Sequence, residues 1–99
     1  MKKPEIVVIA WYHPHQWAAI RSCSEDRDGM AEKFSDWEEG AQRTAKKFES
    51  DGSTVRKTPV DLDALVAWCK SHGLPVNGKS RADFAIHIAS VEMGLTKES

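Results

Sequence analysis

The residue types with the most chemical reach fall into three small groups. The first is His13 and His15, on either side of Pro14, together with Asp61 and Asp63. Two imidazoles and two carboxylates can hold a divalent metal or do acid–base work if the fold brings them together. Their spacing is not that of a dedicated metal site, and each residue has a plainer use. Asp61 suits a helix N-cap, Asp63 suits the positive end of the helix dipole, and His-Pro-His suits a solvated loop. The second group is Cys69 and His72, separated by two residues. Cys23 is the only other thiol, and Cys69 falls on an apolar helical face, which favours a buried structural cysteine over a ligand. The third group is basic: Lys70, Lys79 and Arg81, extended by Arg56 and Lys57. Lys79 and Arg81 stand near a helix N-terminus, where backbone N–H groups attract phosphate. The chain has no Ser/His/Asp signature and no glycine-rich phosphate or dinucleotide loop. No cofactor is implied.

Bulk properties narrow these options. The chain has 99 residues, 14 Lys and Arg against 15 Asp and Glu, and a net charge of −1. That length forms one domain with a core that needs no metal or disulfide staple. A protein built for nucleic acid normally carries a basic surplus, and residues 60–99 hold only four Lys or Arg against five Asp or Glu. No apolar run approaches the ~20 residues of a membrane span, so no membrane association is expected. Met-Lys-Lys-Pro-Glu leads into an apolar stretch too short for a signal peptide. Two distant cysteines in helical contexts fit reduced thiols in a cytoplasmic protein.

The elements that must position these residues follow from periodicity. Glu5 to Tyr12 contains four consecutive apolar residues, Ile6 to Ile9, and reads as a strand buried on both faces. His13-Pro14-His15 ends it, and Pro14 starts a short helix to about Cys23 with Trp17 and Ile20 on one side. After an acidic break at 24–28, a long helix is predicted from about Gly29 to Ser50, with Met30, Phe34, Trp37, Ala41, Ala45 and Phe48 as its stripe. Ser53 to Pro59 reads as a second strand, and Arg56-Lys57 mark it as an edge. The fold class is therefore helix-rich α/β with the order β-α-α-β-α-α. Two short strands, parallel because a long helical connection joins them, lie covered by helices. The tryptophans 11, 17, 37 and 68 serve packing first, and an exposed one would be a candidate partner contact.

The last third is a helix–elbow–helix. Asp61 caps a helix whose face is Leu62, Leu65, Val66 and Cys69. Gly73 supplies a left-handed C′ residue, Leu74 folds back on it, and Pro75 forbids continuation. Asn77-Gly78 turns the chain, and Ser80 with Asp83 is predicted to cap the second helix, whose face is Phe84, Ile88 and Val91 with Ala85 beside them. This stretch resembles the SAP motif, a helix–elbow–helix module best known for binding DNA. The resemblance rests on Leu62–Cys69, on Gly73-Leu74-Pro75-Val76-Asn77-Gly78, and on Arg81-Ala82-Asp83-Phe84 with His87-Ile88. It covers residues 60–92, with Arg81 and Phe84 one residue later than the motif's usual spacing. It implies a DNA contact through Lys70, Lys79 and Arg81, with Arg56 and Lys57 extending the patch.

Three functions from different classes remain. The leading one is a small non-enzymatic interaction module acting through a helical face or a strand edge, with a protein partner or a second copy. The others are a SAP-like nucleic-acid binder and an enzyme built on His13, His15, Asp61 and Asp63.

Overall fold

The computed structural model describes residues 5–94. The first strand, β1, is Ile6–Trp11, and helix α1 is Pro14–Cys23 with Pro14 in its first turn. A single 3-10 turn at Arg27–Gly29 precedes α2, Phe34–Ser50. Strand β2 is Thr54–Pro59, followed by α3, Leu62–Ser71, and α4, Gly78–Glu92. The order is the expected β-α-α-β-α-α, and the strands pair in parallel from Ile6↔Thr54 to Trp11↔Pro59.

Side chains alternate across this two-stranded sheet, so each face meets its own helix. Odd-numbered residues turn toward α2: the Trp11 ring packs edge-on against Trp37, and Lys57 Nζ donates to Gln42 Oε1 at 3.3 Å. Even-numbered residues turn toward α4: Arg56 pairs with Glu92 at 3.0 Å, and Tyr12, just past the strand, meets Arg81. The core forms at the carboxyl ends of the strands from Tyr12, Trp17, Ile20, Val60, Leu65 and Phe84, joined by Cys69 and Ala85. Cys69 is buried and Cys23 exposed, and neither is in a disulfide.

Three local expectations are corrected. The long helix begins at Phe34, not Gly29, because the segment before it is held extended: Trp17 Nε1 donates to the Ala31 carbonyl at 3.1 Å. The cap of α4 is Asn77, not Ser80. Asn77 Oδ1 accepts from the Ser80 N–H at 3.0 Å while Ser80 Oγ accepts from the Asn77 N–H at 2.9 Å, a reciprocal box one turn earlier. Asp83 is left to pair with Lys79 instead. The inner face of α4 is as expected at Phe84, Ala85 and Ile88 and continues through Ala89, but Val91 is exposed.

The end of α3 is as expected. Gly73 takes φ +65°, its N–H donates to the Lys70 carbonyl and the Leu74 N–H to the Cys69 carbonyl, the two bonds of a Schellman ending. Leu74 itself stays exposed.

Candidate functional site

Arg81 is not a surface cation. It is 7% exposed, and three side chains from two other parts of the chain take up its guanidinium through four hydrogen bonds. Nε donates to the Tyr12 hydroxyl at 3.1 Å, and Nη1 donates to Ser24 Oγ at 2.8 Å. Nη1 and Nη2 also donate to the two oxygens of Asp26, at 3.0 and 3.2 Å, a forked charge-assisted pair. Ser24 Oγ in turn donates to the Ile20 carbonyl, and Asp26 Oδ2 accepts the Gly78 N–H at 3.0 Å. The node thus ties the end of β1, the end of α1 and the start of α4 together.

Its electrostatics follow from these contacts. The hydrogen bond from Arg81 holds the Asp26 carboxyl below the usual carboxylate range, against a smaller opposing effect of burial. Burial works to lower the Arg81 value, but the bond to Asp26 and the charges of Tyr12 and Asp26 outweigh it, so it is raised. Burial raises the Tyr12 phenol despite the nearby guanidinium. A cleft of about 260 Å³ opens beside the node, between Tyr12, Trp17, Met30 and Trp37. The charges beside it already satisfy one another, so the node braces the fold.

The remaining basic residues do not converge. Arg56 pairs with Glu92 at the last turn of α4, whereas Lys79 lies in its first turn, roughly 20 Å away along the helix at 1.5 Å per residue. Lys57 faces the opposite side of the sheet, with its Nζ 4.6 Å from the Trp11 ring centroid. Lys70 and Lys79 alone remain exposed beside the elbow, and Lys79 is paired with Asp83 at 3.0 Å.

Each member of the His/Asp set has a local role. Asp61 caps α3 by accepting the Ala64 N–H at 2.9 Å, and Gln16 Nε2 stands 3.5 Å from its other oxygen. Asp63 is in the first turn of α3 and exposed. His13 and His15 stack on each other with centroids 5.7 Å apart. Among the described residues no group of three or more His, Cys, Asp or Glu side chains is placed to hold a metal, so His13, His15, Asp61 and Asp63 form no such group here.

The open site is a backbone one. The Thr54 N–H donates to the Glu5 carbonyl at 2.7 Å, and the Val60 N–H to the Trp11 carbonyl at 3.0 Å. Successive residues of a strand send their N–H and C=O groups to opposite edges. Glu5, Val7, Ile9 and Trp11 therefore face β2, and Ile6, Val8 and Ala10 face outward. Among the described residues no backbone or side-chain group bonds to those three residues on the outer edge. Nor is the strand buried on both faces as its composition predicts: Ile6 is 54% exposed, and Val7 to Trp11 are half-buried. The missing cover has a simple cause. Helix α4 packs on both strands, but α2 packs mainly on β2, so one face and one edge of β1 stay partly open.

The outer edge of β2 differs. By the same alternation it presents Val55, Lys57 and Pro59. Pro59 has no N–H, and Lys57 places a charge beside the groups that remain, two devices that keep other strands away from an edge. Nothing comparable guards β1, whose six residues include no charge and no proline.

No family model matches this chain, and no curated protein or solved structure matches it.

Proposed function

We propose that this protein is a small interaction module that takes an extended segment onto the outer edge of β1 as a third strand. The observation that carries this reading is the unguarded edge: three outward N–H and three outward C=O groups on Ile6, Val8 and Ala10, flanked by apolar side chains. Strand addition recruits main-chain hydrogen bonds for affinity and alternate side chains for specificity. A parallel sheet of two strands is thin and an isolated pair marginal, so a third strand at the open edge extends it. Arg81, braced within the fold, fixes the carboxyl end of β1 and so holds the edge rigid. Two unpaired thiols, Cys23 and Cys69, fit work in a reducing compartment such as the cytoplasm. Among the described residues no helix is long and apolar enough to cross a membrane.

The test is an amide chemical-shift titration of isotope-labelled protein with the soluble strand peptide acetyl-Thr-Val-Thr-Val-Thr-Val-amide. The expected result is that the Ile6, Val8 and Ala10 amides move most. Shifts confined to Val55 and Lys57, or to the faces of α3 and α4, would contradict the assignment.

A further inference from the structure

We infer that the segment seated on the β1 edge is β1 of a second copy, paired antiparallel about a two-fold axis through Val8. This deepens the strand-addition reading above and rests on it. A two-fold axis perpendicular to the sheet reverses strand direction while keeping each face on its own side. It therefore joins two sheets edge to edge with both α4 helices on one face and both α2 helices on the other. Opposed residues must then lie on the same face, so their numbers add to an even sum.

The outward groups select one register among these. With Val8 opposite Val8, Ile6 stands opposite Ala10 and Ala10 opposite Ile6. All three are residues whose N–H and C=O point outward, so each opposed pair exchanges both of its bonds and no outward group of the strand is left over. A shift of the centre to Val7 would leave the outward groups of Ala10 without a partner inside the strand. A shift to Ile9 would do the same for Ile6, which would then stand opposite Tyr12, beyond the end of the strand.

Side chains agree with the Val8 register. Residues 6–10 carry no charge, so self-pairing opposes no like charges. Val7 meets Ile9 on the α2 side, where α2 leaves β1 partly uncovered, and Ile6, the most exposed large apolar residue described, gains Ala10 as a neighbour. The result is a four-stranded sheet in the order β2-β1-β1-β2. Each end of it is a β2 edge guarded by Lys57 and Pro59, so the assembly closes at two copies.

The experiment is light-scattering mass across a concentration series of the full chain, with isotope-filtered NOE spectra of a mixed labelled and unlabelled sample. In the Val8 register Val7 and Ile9 are a non-hydrogen-bonded pair, so their Hα protons face each other across the two copies. The expected result is a concentration-dependent dimer with an interchain Val7 Hα–Ile9 Hα contact. Ile6→Pro removes one outward donor per copy at an exposed side chain, and should weaken the dimer at least about tenfold at roughly 1 kcal/mol per lost bond. Lys57→Pro, the equivalent change on the outer edge of β2, should leave the dimer constant unaltered. The unmodified chain is decisive even where a variant fails to fold. A dimer lacking the Val7–Ile9 contact overturns the inference. A monomer whose Ile6, Val8 and Ala10 amides exchange freely overturns self-pairing but leaves the strand-addition reading standing. A monomer in which those amides are protected overturns both.

Discussion

Tyr12 stands between two regions that treat their polar groups in opposite ways. On its side-chain side is the Arg81 node, in which Tyr12, Ser24, Asp26 and the Gly78 N–H close a network of bonds between 2.8 and 3.2 Å. Just before it in the chain is β1, whose outward groups at Ile6, Val8 and Ala10 have no partner among the described residues. A buried charge left without partners would cost several kcal/mol, so Arg81 has to be satisfied within the chain. A solvated strand edge costs little, because water serves its groups until a strand replaces it. The difference separates what folds the molecule from what the molecule can offer to others. A cation that looks like a binding residue is bonded within the fold, and an apolar strand that looks like core keeps an open edge among the described residues.

The sharpest way to break this contrast is to remove the charge. Arg81→Met should lower stability by roughly 2–4 kcal/mol, since it strands Asp26, Ser24 Oγ and the Tyr12 hydroxyl. The measurement is urea unfolding monitored by tryptophan fluorescence. A loss below about 0.5 kcal/mol, the level of an ordinary surface substitution, would mean that the node is no brace.

Asp26→Asn should have a smaller effect, about 1 kcal/mol at neutral pH, because its side chain is 41% exposed and partly screened. Its signature is in the pH dependence. Asp26 has a folded value below its unfolded one, so its contribution is present above the ordinary carboxylate range and is lost as pH falls through the lowered folded value. Acid titration of stability should therefore be shallower below about pH 4 in Asp26→Asn than in the parent chain.

Gly73→Ala bears on whether the elbow is independent of both regions. The φ of +65° there is unfavourable for alanine, and a Cβ would meet no atom within 4 Å, so the cost should be backbone strain alone, about 1 kcal/mol. Thermal unfolding would show it, with the β1 amides unaffected below the transition.

The smallest change expected is at Thr58. It is buried on the α4 side of β2, and among the described residues its Oγ1 has no hydrogen-bond partner. Thr58→Val should be neutral or stabilising by up to about 1 kcal/mol by the same unfolding measurement. A marked loss would reveal a partner for that hydroxyl.

The order of elements and the parallel pairing were legible because runs such as Ile6–Ile9 and the Phe34–Phe48 stripe carry their period locally, and Pro14, Gly73 and Pro75 mark boundaries. The node around Arg81 was not legible because its partners Tyr12, Ser24 and Asp26 lie 69, 57 and 55 residues away. No local spacing announces them, and Ser24 to Asp28 reads only as a polar break. The half-buried state of β1 was hidden for a different reason. An apolar run predicts that both faces are covered, but it does not say whether the cover comes from the same chain. The contrast between Lys57 and Pro59 on one strand and none on the other was the available signal. The His13, His15, Asp61 and Asp63 set was read correctly in its plainer version at Asp61, whose capping role follows from residue type and position alone.

The central claim, that the outer edge of β1 is open in the chain and closed by association, is tested most directly by residue-resolved amide exchange over a range of protein concentrations. The account predicts that Ile6, Val8 and Ala10 are unprotected in dilute protein and gain protection with concentration, while Val7, Ile9 and Trp11 are protected throughout. Equal, concentration-independent protection of all six amides would contradict it.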